Sequence, residues 1–146
     1  MLRTSILDTD QLQALLVSKH YLEQRLALSL SARPEVWRFI YKQQPELAFT
    51  LAQNPSIPQD LADELAAHPN PRVRLMVARH GEPSFYALKQ LSEDKEAAVR
   101  LAIAKRPDLD GQLQGCLFKD KDAGVQLAAQ LYQQSQQPFF ARASSW

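Results

Sequence analysis

Catalysis and metal binding draw first on histidine, cysteine and carboxylates. This chain holds three histidines, His20, His68 and His80, and one cysteine, Cys116. A metal site needs several ligands converging, and no pair here stands at H-x₃-H or C-x₂-C spacing. His68 reads as a turn residue, and His80 as the end of a helix, where a positive charge is tolerated. Cys116 lies beside Leu117 and reads as a small buried hydrophobe. A catalytic thiolate would need a histidine and an electropositive pocket, and the sequence offers neither. Asp60, Asp63 and Glu64 are close in sequence, as are Asp94 and Glu96. Paired carboxylates do acid–base work when burial splits their pKa values. These fall on turns and polar helix faces and read as solvated. The four glycines, Gly81, Gly111, Gly115 and Gly124, write neither G-x-G-x-x-G nor a P-loop. The expectation is a non-enzymatic chain with no catalytic residue, no metal site and no cofactor.

Two residue sets could bind rather than react. The first is basic. Arg74 and Arg100 hold equivalent places in a repeating pattern, as do Arg79 and Lys105, and His80 and Arg106, with Arg72 beside the first pair. Stacked repeats would set such residues in rows, giving a positive stripe. Equally, the arginine of each Val–Arg pair could join an acid of a neighbouring unit or pack its stem, because surface ion pairs are common and individually weak. The second set is aromatic. Trp37, Phe39 and Tyr41 lie early in the chain, with Tyr21 nearby, and Trp37 and Tyr41 occupy core places. Phe85 and Tyr86 stand at an inter-helix turn where another unit carries Gln59 and Asp60. An aromatic in a normally polar place marks either a local repacking or a contact surface.

The elements that must position these residues follow from a repeat. Val73–Arg74–Leu75–Met76–Val77–Ala78–Arg79–His80 returns 26 residues later as Val99–Arg100–Leu101–Ala102–Ile103–Ala104–Lys105–Arg106. A decayed copy begins at Val125, and Leu47–Ala48–Phe49–Thr50–Leu51–Ala52 fills the same places one spacing earlier. A fixed period of this size marks a solenoid. Each unit is two short helices, or a helix and a 3₁₀ turn, with breaks at Asn54–Pro55, His80–Gly81 and Arg106–Pro107. Neither helix is long enough to stand alone in water, so each buries its apolar face against a neighbour. The predicted core ladders are Leu65/Leu91/Leu117, Val73/Val99/Val125, Leu75/Leu101/Leu127 and Val77/Ile103/Ala129.

The spacing predicts a helix capped by Asp8, Thr9 or Asp10 and carrying Leu12, Leu15 and Leu16. Leu22, Leu26, Ala27 and Leu30 give a second amphipathic stretch. Pro34 and Pro58 open later helices, and Asn70 before Pro71 is the favoured order of N-cap and first helical residue. Asp122 stands where Asn70 does, and Glu96 is a poorer cap. The predicted domain is 1–132, an N-terminal cap over 1–33 and repeats over 34–132, followed by a flexible tail over 133–146. Phe139, Phe140 and Trp146 in that tail could support self-association, by docking on the last unit or on another copy of the chain.

The text Asn54–Pro55–Ser56–Ile57–Pro58, Leu61, Leu65–Ala66–Ala67–His68–Pro69–Asn70–Pro71–Arg72–Val73–Arg74, Val77–Ala78 resembles the leucine-rich repeat variant. That family is a bacterial, HEAT-like helical repeat reading roughly NPxTPxxxLxxLAxDPxxxVRxxVA. The match is best over 54–78, recognisable over 79–106 and faded beyond 107; in all it covers 34–132. The resemblance implies a right-handed superhelix of alternating α and 3₁₀ elements. Some members add a cysteine-rich iron–sulfur segment, which a chain with only Cys116 does not carry over. Such repeats are alike in core and turn chemistry, so the resemblance speaks to architecture and poorly to function.

The expectation is therefore an all-α, short right-handed α-solenoid of about four units with a helical N-terminal cap. It is a protein–protein interaction module, adaptor or scaffold, binding through Arg72, Arg74, Arg79, Arg100, Lys105, Arg106, Phe85 and Tyr86. The alternative is nucleic-acid binding through the basic ladder, as in some HEAT-like proteins. A net charge of +1 from 17 basic and 16 acidic residues gives that alternative no global attraction. No signal peptide and no apolar run of membrane-spanning length is read. The single cysteine fits a reducing compartment, so the expected location is cytoplasmic and the expected partner another protein, with no membrane.

Overall fold

The structure, a computed structural model, describes residues 8–136, with side chains described through Tyr132. It contains ten α-helices and one 3₁₀ turn, and no strand, among the described residues. The chain divides into two compact units, Met1–Ala87 and Leu88–Trp146. The sequence reading takes 1–132 as one domain; the division falls inside a helix, Phe85–Ser92.

In the first unit, Asp8 caps α1 (Thr9–Val17) through a reciprocal capping box. Asp8 Oδ1 accepts from the Gln11 amide at 2.8 Å, and Gln11 Oε1 accepts from the Asp8 amide at 3.4 Å. Leu12 and Leu16 are buried at i, i+4. Helix α2 (Tyr21–Ser29) has no side-chain cap and buries only Ala27; Leu22 is 78% exposed and Leu26 51%. The predicted amphipathic stretch is thus helical, but its leucines face outward. Pro34 opens α3 (Pro34–Gln43), in which Trp37 and Ile40 are buried and Tyr41 is half-buried. The expected Trp37/Tyr41 core pair is shifted, because i, i+3 rather than i, i+4 faces the interior. A 3₁₀ turn, Pro45–Leu47, leads into α4 (Ala48–Leu51), then α5 (Gln59–Ala66) and α6 (Pro71–His80). Both α4 and α5 pack on α6.

One buried polar residue organises this unit. Asn54 is fully buried. Its Nδ2 donates to the carbonyls of Ala27 at 3.1 Å and Leu30 at 2.9 Å, and its Oδ1 accepts from the Ser56 amide at 2.7 Å. The last carbonyls of a helix lack partners within it. Asn54 supplies them for α2, fastening that helix to the turn before α5.

Helix α7 (Phe85–Ser92) follows, with Ala87 and Leu91 buried. The second unit then holds α8 (Ala97–Ala104), α9 (Gly111–Leu117) and α10 (Ala123–Gln136), which pack on one another. Asp110 caps α9 by accepting from the Gln112 amide at 2.8 Å. Asp122 Oδ1 accepts from the amides of Gly124 and Val125 at 2.8 and 3.1 Å, and Asn70 caps α6 through the Arg72 amide at 2.9 Å. Glu96 precedes α8 without a side-chain cap bond, because its carboxylate does not reach the second or third amide. Helix α10 continues to Gln136, into the stretch read as tail; Phe139, Phe140 and Trp146 lie outside the described residues.

Three of the four predicted ladders are buried at every rung: Leu65, Leu91 and Leu117; Val73, Val99 and Val125; Val77, Ile103 and Ala129. The fourth is not. Leu75 and Leu101 are half-buried and Leu127 is 56% exposed. The reason is helical geometry. At about 100° per residue, positions 73, 77 and 78 form one stripe, position 74 falls inside it, and 75 lies toward the far side. The buried neighbour of Val73 is therefore Arg74.

Candidate interaction surface

The structure separates the predicted basic residues into two kinds. Arg74, Arg100 and Arg106 are buried; Arg72, Arg79 and Lys105 are exposed. A solvent-facing stripe running through all six is corrected accordingly, since three of its members point inward. Phe85 and Tyr86 are exposed, and they stand in the first turn of α7 rather than in an inter-helix turn.

The buried arginines close the turn between two helices. Arg74 Nη1 donates back to the carbonyls of His68 and Pro69 at 2.9 and 3.1 Å. Arg100 Nη1 does the same to Asp94 and Lys95 at 2.7 and 3.3 Å. In the decayed copy Gln126 Nε2 donates to the Asp120 carbonyl at 2.5 Å. The first residue of each turn answers with its own side chain. His68 Nδ1, Asp94 Oδ1 and Asp120 Oδ1 accept from the amides two residues on, at 3.0, 2.9 and 2.8 Å. Carbonyls left over at a helix end would be costly to bury unpaired, and a long cationic side chain reaching back from the next helix satisfies them.

Arg100 carries a second load. Its Nε and Nη2 meet Asp120 Oδ2 and Oδ1 at 2.8 and 3.1 Å, a two-pronged pair with side chains only 5% and 8% exposed. Burial works to raise the Asp120 pKa. The bond from Arg100, the Asp122 amide and the Arg100 charge outweigh it and hold the carboxyl below its ordinary value. Arg106 is likewise buried against Asp108, at 3.2 Å, and that carboxyl is also held low despite partial burial. These groups are structural.

The remaining chemistry-bearing residues are dispersed. Cys116 is exposed on α9, not buried as expected, because Leu113 and Leu117 take the inward face of that short helix. Asp63 accepts from the Ser84 amide at 2.7 Å, and Asp60 forms an exposed fork with Arg38 at 2.6 and 2.8 Å. Among the described residues no group of three or more histidine, cysteine or carboxylate side chains is placed to hold a metal. No helix among them is long and apolar enough to cross a membrane.

What the surface does offer is apolar. The place held by Phe49, Leu75, Leu101 and Leu127 carries a large apolar side chain in every copy and is fully buried in none. The described residues of the first unit border two notable recesses. One, of about 430 Å³, is bordered by Arg38, Lys42, Asp60 and Glu64 and by Tyr41. Burial, then the Glu64 charge, pushes the Tyr41 phenol up. The other is a groove of about 740 Å³ between α2 and α4. Tyr21, Gln24, Arg25 and Leu28 form its α2 wall, and Phe49, Thr50 and Gln53 face them. The α2 residues fall at i, i+3, i+4 and i+7, one helical face. Arg25 stacks 5.7 Å from the Tyr21 ring centroid and donates to its hydroxyl at 3.0 Å. Arg72 stacks 5.2 Å from the ring centroid of Phe49. Sequence reading passed over this site. Its helical spacing is visible in α2, but its second wall comes from a helix far along the chain. Comparison with protein-family descriptions, with curated proteins and with solved structures finds no match to this chain.

Proposed function

We propose that this chain is a non-enzymatic interaction module, a short right-handed α-solenoid of the leucine-rich repeat variant kind that receives another protein on its surface. The carrying observation is the place occupied by Phe49, Leu75, Leu101 and Leu127. Every copy of the repeat holds a large apolar side chain there, and every copy leaves it at least partly in solvent. Single exposed leucines are ordinary; one recurring at the same place in each unit supports a contact surface. Stacked repeats characteristically present such surfaces. The turn bonds that recur every 26 residues support the solenoid arrangement. The lone cysteine suits work in the cytoplasm. Nucleic-acid binding by the ladder draws less support, because Arg74, Arg100 and Arg106 are committed to the interior.

The test is affinity capture from host lysate with and without nuclease, using the wild-type chain and Leu127→Glu. One or two proteins retained through nuclease and moderate salt, and lost with Leu127→Glu, are the expected result. Recovery that vanishes with nuclease would overturn the reading in favour of nucleic acid. Recovery of nothing would sink it outright.

A further inference from the structure

The groove between α2 and α4 has a composition that specifies its occupant. We propose that it binds an extended acidic peptide segment carrying aromatic or aliphatic side chains. The inference rests on the interaction-module reading and adds the partner's chemistry and the place it docks.

Charge complementarity is the first argument. The residues lining the groove include Arg25 and no carboxylate, and Arg72, not itself a lining residue, lies over the ring of Phe49, which is one. Neither arginine has a carboxylate within ion-pair distance among the described residues, in contrast to Arg38, Arg100 and Arg106. The smaller recess makes the opposite case. Its Arg38 and Asp60 already neutralise each other, and both Lys42 and Glu64 border it, so it offers an anionic ligand little.

Geometry is the second argument. A guanidinium stacked on an aromatic ring keeps its in-plane N–H donors pointing outward, where a carboxylate is met by two of them at once. Arg25 lines the groove beside Tyr21 and spends one Nη1 donor on the Tyr21 hydroxyl, while Arg72 stacks on Phe49 of the facing wall from α6 and stands at the border rather than in the lining. Between them lies apolar surface from Leu28 and the rings, suited to a side chain between two acids. Gln24 and Gln53 donate through Nε2 to the carbonyls of Ser18 and Phe49, at 2.7 and 3.2 Å. Their amide oxygens are thereby oriented acceptors for a peptide N–H. A volume of about 740 Å³ suits a few residues of extended chain. Leu22 and Leu26, exposed on the adjoining face of α2, extend the apolar border. One lining cation with a second at the border fits a short acidic segment better than the long phosphate track of a nucleic acid, which needs many.

The test is fluorescence anisotropy on the full chain with a fluorescein-labelled decapeptide of Glu, Phe and Leu. The same peptide with Gln for Glu, and a labelled oligothymidylate, are the comparators. The acidic peptide is expected to bind at least about tenfold more tightly than either comparator. Arg25→Gln with Arg72→Gln should weaken it by about tenfold, whereas Arg38→Gln at the other recess leaves it unchanged. Arg25→Lys with Arg72→Lys keeps the charge without the planar fork and should weaken it less. Thermal melts establish that each variant is folded, and the lysine pair serves if the glutamine pair is not. Equal binding of the Glu and Gln peptides overturns the proposal, as does binding indifferent to both pairs of variants. So does absence of binding by the acidic peptide, or tighter binding by the oligothymidylate. A partner captured from lysate equally by wild type and by the Arg25/Arg72 variants would reject the groove while leaving the interaction-module reading intact.

Discussion

Arg100 and Arg25 are the same residue put to opposite uses. In the second unit, Arg100 lies in the buried stripe of α8, ties off the carbonyls of Asp94 and Lys95, and forms a two-pronged pair with Asp120. In the first, Arg25 is exposed on α2 with a tyrosine ring beside it and, among the described residues, no carboxylate within ion-pair distance. Burying a guanidinium costs a large desolvation penalty, tolerable only when almost every donor has a partner. The Arg100 site meets that condition by joining the carbonyls of the preceding turn to the carboxylate of Asp120 from the next one. The Arg25 site spends one donor on the Tyr21 hydroxyl and leaves the others to water, or to whatever binds. Charge in the interior therefore serves the fold, and charge beside aromatic rings at the surface is left accessible.

Removing one partner of the interior pair gives the largest expected effect. Asp120→Ala leaves Arg100 buried and uncompensated and should cost about 3–5 kcal/mol in chemical denaturation. A loss under about 1 kcal/mol would place the pair among ordinary surface contacts and erase the contrast. Next comes the apolar counterpart. Leu91→Ala, at a buried rung, should cost about 2–5 kcal/mol, while Leu127→Ala at the exposed place should stay within about 0.5 kcal/mol. Equal thermal shifts for the two would refute the division between core and contact positions.

Acid provides a gentler probe of the same pair. Asp120 titrates below its unfolded value, so its contribution is present above about pH 4 and is lost as pH falls through the folded pKa. The effect is smaller than that of Asp120→Ala, because a protonated carboxyl still fills its place. Denaturation midpoints compared at neutral pH and near pH 3 should fall more for wild type than for Asp120→Asn. An identical fall in both would remove the pair from the acid response. Smallest of all, Arg25→Gln should change stability by less than about 0.5 kcal/mol, since its guanidinium holds no buried group. A clear destabilisation in a thermal melt would make Arg25 structural and close the distance between the two arginines.

Much of the framework is legible in the chain. The Asn70–Pro71 start of α6, the poor cap at Glu96, the breaks after His80 and before Pro107 and three of the four apolar ladders follow from short-range rules. The fourth ladder fails because Leu75 shares the repeat with Val73 and Val77 but not their helical face, and rotation about the axis puts Arg74 on that face instead. Applied strictly, the same rotation turns Arg74 and Arg100 inward from sequence alone. The candidate groove is legible only on its α2 side.

Periodicity, caps and breakers act between residues a few positions apart, so the order and type of the helices and the repeat itself are already written in the chain. Burial of a particular polar group depends on partners the chain brings together from a distance. Asn54 is satisfied by carbonyls at Ala27 and Leu30, Arg100 by Asp120, and Arg72 stacks on Phe49 of another helix. No local pattern encodes those meetings. They decide which arginines hold the molecule together and which face outward, because the cost of a buried charge is set by the groups that surround it after folding.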